Sequence, residues 1–138
     1  MECTINWLDG MSCIAETGTG HSVAMDGAPE AGGRNLAPRP MELMLAGAGG
    51  CTAFDVVLIL KRGRQDVRGC SVRLEAERAD TDPKVFTRIR FIYTITGRNL
   101  KRETVERAVH LSAEKYCSAS IMLAKTAEIS HEVELIEA

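Results

Sequence analysis

Residues 39–67 read RPMELMLAGAGGCTAFDVVLILKRGRQDV. Pro40 suits a first helical turn, where its missing N–H costs nothing, and Glu42 sits where a negative charge favours the helix dipole. Gly63 follows Lys61 and Arg62, the composition of a helix end. The stretch predicts a helix from Pro40 to Lys61. Few polar residues interrupt positions 43–60, so the helix is expected to be buried on most sides. Gly47, Gly49 and Gly50 each cost about 0.5–1 kcal/mol relative to alanine in a helix interior. Close approach of another backbone or of a ligand is the natural compensation. Cys51 stands in the middle of this helix.

On the amino-terminal side, Thr4 to Leu8, Met11 to Thr17 and His21 to Met25 read as short strands. The turns between them lie at Asp9-Gly10 and Gly18 to Gly20, with another at Asp26-Gly27, and Asp-Gly between two such runs is a hairpin signal. The segment APEAGGRNLAPRP then reads as a loop, long enough for a surface crossover or an active-site flap. On the other side, Val67 to Ala79 alternates, with Val72, Leu74 and Ala76 opposite Arg73, Glu75 and Glu77. Phe86 to Ile95 reads as its partner strand. Asn99 is a candidate cap for a helix over Leu100 to Tyr116, striped by Leu100, Val105, Ala108 and Val109. Ser118 is a candidate cap for a short helix through Ala124, and the tail AEISHEVELIEA alternates like an edge strand. The fold class is α+β, in a single domain over residues 1–138.

A hydrophobic fraction of 45% and a charged fraction of 26% describe a globular chain. A net charge of -2 gives no general attraction to nucleic acid. The basic run KRGRQDVR, residues 61–68, lacks aromatic interleaving and reads as a solvated helix end. MECTINWLDG does not resemble a signal peptide, and the run Val56 to Leu60 is too short to span a bilayer, so no membrane partner is expected and the cytoplasm is the expected location. The five cysteines include no CxxC pair and no Cys/His group with local zinc spacing. Reduced thiols without a metal or cofactor are therefore the expectation.

Cys3, Cys13 and Cys70 lie in predicted strands and read as buried or half-buried small hydrophobes. Cys51 and Cys117 stay open between packing and chemistry. The first is in a glycine-rich helix that a small substrate could approach. The second precedes Ser118, whose helix amino terminus could stabilise a thiolate. Asp55, one turn after Cys51, needs a partner if buried, and an arginine or backbone group is favoured over catalysis. His110 reads as a surface or packing residue, though it could share a helix face with Cys117. His21 and His131 are isolated.

Residues 39–67, together with EKYCSASIMLAKTAEI at 114–129, resemble the OsmC/Ohr superfamily of thiol-dependent peroxidases, closest to a less characterised OsmC-like branch. The order of elements over almost the whole chain is similar too. The resemblance implies an intertwined homodimer with antiparallel sheets around two buried central helices. It assigns Cys51 as the thiol that reduces a peroxide and Cys117 as the resolving thiol, with an external dithiol reductant restoring the pair. The organic-peroxide branch uses an early arginine, held by a glutamate ten residues before the first cysteine. Here no arginine precedes Arg34, and Met41 occupies the glutamate's position. Glu42 lies nine residues before Cys51, so Arg34 or Arg39, oriented by Glu42, is the candidate activating cation. The competing expectation is a non-enzymatic homodimer that binds a small hydrophobic or thiol-reactive ligand.

Overall fold

A computed structural model describes all 138 residues. The chain's contacts fall into two units, Met1–Ala46 and Gly47–Ala138. In the first, β1 (Cys3–Asp9), β2 (Ser12–Thr17) and β3 (Ser22–Met25) form an antiparallel sheet in that order. The hairpin between β1 and β2 turns at Gly10, φ +56°, as the Asp-Gly pair predicts. Asp26 is buried and gathers the following loop. Its carboxylate accepts the N–H groups of Gly27 (2.8 Å), Leu36 (3.1 Å) and Arg34 (3.2 Å). The Leu36 and Gly27 N–H groups hold this carboxyl below the usual range. Gly33 packs on the backbone of Gly27 so tightly that any Cβ would collide with its carbonyl, which explains one glycine of the loop.

Helix α1 (Pro40–Arg62) crosses from the first unit to the second. By length and composition it could cross a membrane, with a mean hydropathy of 2.0 over its apolar window, so the expectation drawn from Val56 to Leu60 underestimated its apolar length. The second unit continues with β4 (Asp66–Arg78), β5 (Phe86–Arg98), α2 (Arg102–Leu111), a π-helical turn (Ser112–Tyr116), α3 (Ser118–Leu123) and β6 (Glu128–Glu137). Its sheet has the order β4-β5-β6. Strands β4 and β5 pair antiparallel, whereas β6 returns parallel to β5. The tail is therefore an edge strand, but in a mixed sheet, because α2 and α3 occupy the crossover that a parallel return requires.

The core of this unit lies on one face of β5, where Ile89, Phe91, Tyr93 and Ile95 are fully buried. From α1 it receives Ala48, Gly49, Thr52, Val56 and Leu60, and from α2 Val105, Ala108 and Val109. The α1 residues recur at helical spacing and make a single stripe. Phe54 and Met44 are 70% and 50% exposed, so one chain does not meet the expectation of burial on most sides. Gly49 has the compensating contact its cost demands. A Cβ there would lie 2.9 Å from Leu74 Cδ1, while Gly47 and Gly50 face nothing within 4 Å.

One cap and one helix end differ from expectation. Asn99 does not cap α2: it takes a left-handed conformation, φ +54°, and its N–H donates to the Glu137 carboxylate at 3.1 Å, leaving Lys101 at the cap. The predicted helix also ends earlier, at Leu111, before the π-helical turn. On the outer face, Arg90 joins Glu75 and Glu132, each at 2.7 Å. These exposed pairs set strand register more than they add stability. Arg68 pairs with Asp66 at 3.1 Å, and the basic run is partly neutralised within itself.

Candidate functional site

The middle of α1 and the junction before α3 bring three reactive side chains together. The sulfur atoms of Cys51 and Cys117 and a carboxylate oxygen of Asp55 lie within 4.8 Å of one another. Cys51 and Asp55 are four residues apart on one helix face, and Cys117 arrives from the other end of the unit. Cys51 is half-buried and Cys117 buried.

Cys117 is placed by the π-helical turn, whose irregular winding is frequent at functional sites. Its N–H donates to the Ser112 carbonyl at 2.8 Å, ending the turn. Its side chain, not Ser118, then caps α3: Sγ accepts the Ser120 N–H at 3.4 Å and the Ser120 hydroxyl at 2.9 Å. Burial pushes the Cys117 thiol up, the two Ser120 donors pull it back, and the neighbouring Cys51 raises it further. No cation contributes to that balance.

Asp55 does have a partner, though neither an arginine nor a backbone group. Ser112 Oγ donates to its Oδ2 at 3.1 Å. Behind Ser112 stand Thr52 Oγ1 at 2.8 Å and then Tyr93 Oη at 2.8 Å, all three buried. Each hydroxyl has one proton to give. With Asp55 ionised, Ser112 spends its proton on the carboxylate and must accept from Thr52, which in turn accepts from Tyr93. The order Tyr93, Thr52, Ser112, Asp55 thus has one direction. Burial pushes the Tyr93 phenol up to about 12, keeping it a proton donor. Sequence reading missed Thr52, Ser112 and Tyr93 because isolated hydroxyl residues carry no local pattern.

Arg34, Arg39 and Glu42 sit in the first unit. Arg34 pairs with Asp9 at 3.4 Å. Glu42 Oε1 accepts the Arg39 backbone N–H at 3.0 Å, a capping contact at the start of α1. Cys13 and Cys70 are half-buried, as expected of small hydrophobes, but Cys3 is exposed on β1, where no residue is covered. His110 is exposed on α2 and joins Glu106, Glu114 and His131 around a cavity of about 240 Å³.

Residues 32–132 match the family model described as OsmC-like protein. The chain belongs to the OsmC/Ohr superfamily. This OsmC-like chain is 46% identical over 138 residues to Protein YhfA of Escherichia coli (strain K12), covering 100% of each. A hypothetical protein from Aquifex aeolicus VF5 superimposes with a TM-score of 0.81 at 29% identity, over 98% of this chain and 96% of that one. An organic hydroperoxide resistance protein OsmC from Legionella pneumophila has a TM-score of 0.72 at 19% identity, over 96% and 95%. That last likeness is one of fold.

Proposed function

We propose that this protein is a cytoplasmic thiol-dependent peroxidase that reduces organic hydroperoxides or hydrogen peroxide. The observation that carries the reading is the approach of the Cys51 and Cys117 sulfur atoms in a family whose fold is shared by a protein named for organic hydroperoxide resistance. Cys51, the more accessible thiol, attacks the O–O bond as a thiolate. The sulfur is oxidised to a sulfenic acid and the peroxide leaves as an alcohol or water. Cys117 condenses with the sulfenic acid, forming a disulfide and releasing water, and an external dithiol reduces the disulfide. A cation beside the sulfur would favour the attacking thiolate. Arg34 or Arg39 is assigned that role, with Glu42 as the orienting carboxylate.

The working unit is a homodimer, with residues 1–138 acting as one domain. Support comes from apolar side chains that one chain leaves in water: Phe54 and Met44 on α1, and Ile5, Trp7 and Leu8 on β1. Beside Phe54, residues Gly50, Ala53, Val57, Leu58 and Cys70 line an apolar depression of about 480 Å³. Lys61 completes its lining, and Cys51 is not part of it; an apolar surface next to Gly50 would suit the organic part of a hydroperoxide better than hydrogen peroxide. It is also the observation behind the second reading, a non-enzymatic homodimer that holds a small hydrophobic or thiol-reactive ligand.

Single-turnover oxidation of the fully reduced protein by cumene hydroperoxide and by hydrogen peroxide, with disulfide mapping over time, separates the two. A rapid Cys51–Cys117 disulfide, absent from Cys51→Ser and Cys117→Ser, is expected, with cumene hydroperoxide the faster oxidant. Oxidation no faster than that of free cysteine, or scattered over Cys3, Cys13 and Cys70, would sink the enzyme and leave the ligand-binding dimer.

A further inference from the structure

The group that holds the thiol pair has more in it than a disulfide requires. A resolving reaction needs two sulfur atoms, and a carboxylate beside them works against it by repelling each thiolate. Asp55 lies within 4.8 Å of both sulfurs, and it is held there by the Ser112 hydroxyl at 3.1 Å with Thr52 and Tyr93 lined up behind. Three buried hydroxyls are spent on fixing a negative charge next to two groups that ionise to negative charges. Such a constellation is self-consistent once a divalent cation is at its centre, because the cation attracts all three of these ligand groups and outweighs the repulsion among them.

We propose that the reduced protein binds one Zn²⁺ through Cys51 Sγ, Cys117 Sγ and a carboxylate oxygen of Asp55, with solvent completing four ligands. Two thiolates and a carboxylate form a donor set suited to zinc, and three protein ligands plus water is the arrangement of an open zinc site. The outer groups fit as well. Metal-bound carboxylates are themselves hydrogen-bonded in established sites, as Asp55 is by Ser112. Cys117 Sγ accepts two donors from Ser120, which would support a bound thiolate. The exchange is balanced: two thiols and one Zn²⁺ give a zinc dithiolate and two protons, with no change of oxidation state. The site escapes local motif reading because Cys51 and Asp55 are spaced as a helix pair and the third ligand comes 66 residues after Cys51.

The proposal stands whether or not the pair reduces peroxides, and its test needs no peroxide. Fully reduced protein is titrated anaerobically with Co²⁺, then with Zn²⁺ against a chromogenic chelator. One equivalent of Co²⁺ should release two protons and give thiolate-to-metal charge transfer and tetrahedral d–d bands, which Zn²⁺ should then bleach by displacing the Co²⁺ with no further proton release. Asp55→Asn should lose affinity by about tenfold or more and Ser112→Ala by roughly 10–100-fold, the range for outer-shell partners. Cys51→Ser should lose part of the charge-transfer intensity. A rise in the wild-type melting temperature with Zn²⁺, absent after Cys51–Cys117 oxidation, checks the site without any substitution. Stoichiometric Co²⁺ binding without charge transfer, undiminished affinity in folded Asp55→Asn, or no thermal shift of the reduced protein overturns the proposal. Peroxide turnover of chelator-treated protein reports separately on the peroxidase.

Discussion

The two three-stranded sheets of this chain solve the same problem differently. In β5 the side chains alternate between a core face and a wet one, and Ile89, Phe91, Tyr93 and Ile95 are fully buried. In β1 all seven residues are exposed, and Trp7 is 70% accessible. The carboxy-terminal sheet has a helix stripe over it, supplied by α1 and α2 of the same chain. The amino-terminal sheet has its hydrogen-bond ladders and buries Ala15 but leaves Ile5, Trp7, Leu8 and Val23 in water, and ladders with so little covered apolar surface are marginal. The lesson is that one half of the chain carries its own core, whereas the other borrows its stability from whatever covers Ile5, Trp7 and Leu8. In the proposed dimer that cover is a second copy.

One pair of substitutions breaks the comparison most directly. Phe91→Ala should cost about 3–5 kcal/mol, lowering the urea midpoint for the entire carboxy-terminal unit. Trp7→Glu should leave that core folded and instead convert dimer to monomer in sedimentation velocity. Two copies of a buried aromatic are worth about 3 kcal/mol or more, roughly a hundredfold in dimer affinity. A Trp7→Glu protein that sediments as the wild type does would remove β1 from the interface.

A smaller effect sharpens the contrast inside α1. At Gly49 a Cβ meets only the flexible end of Leu74, so alanine is tolerated by a shift of that side chain. Valine should cost about 1–3 kcal/mol through overpacking. Gly50 faces open space within one chain. There alanine should gain about 0.5–1 kcal/mol in the Trp7→Glu monomer, the helix-propensity term alone. If a second copy lies against this face, the gain should vanish in the dimer, because the added methyl would meet it. Equal gains in both backgrounds, read from urea melts, would show that no neighbour lies against Gly50.

The sequence makes the strands legible because alternation along β4 and β5 is long and regular, and the Asp-Gly turn has a specific backbone demand. It makes α1 legible through Pro40, the apolar run and Gly63. Three things escape it. The parallel return of β6 depends on where the crossover helices pack, and no residue of the tail encodes that direction. The end of α2 at Leu111 depends on the π-helical turn, which has no composition signal. The hydroxyl chain from Tyr93 to Asp55 links residues 41 and 57 positions apart, beyond the reach of local reading. Even the cysteine pair was open on residues alone. Family resemblance supplied the pairing, and the fold then placed the sulfurs together.

The smallest effect concerns a titratable group inside the self-sufficient half. His131 on β6 rests against Phe91 and Tyr93, with ring centroids 5.2 and 5.8 Å away, and its Nδ1 is buried without a partner. Burial lowers its pKa from 6.5, His110 lowers it further, and Glu114 works in the opposite sense. Since the unfolded chain takes up the proton at a higher pH than the folded one, the neutral ring contributes stability that is present above 6.5 and lost as pH falls toward the depressed folded value. Urea midpoints measured at about pH 7.5 and again near the folded pKa should therefore fall with pH, and His131→Phe should flatten that part of the slope while preserving the aromatic cluster. Glu106 and Lys125 also face the cavities around the ring, so Glu114→Gln is the companion variant. Removing the one carboxylate that favours the imidazolium should steepen the acid loss, and an unchanged slope in both variants would place the pH sensitivity outside this core.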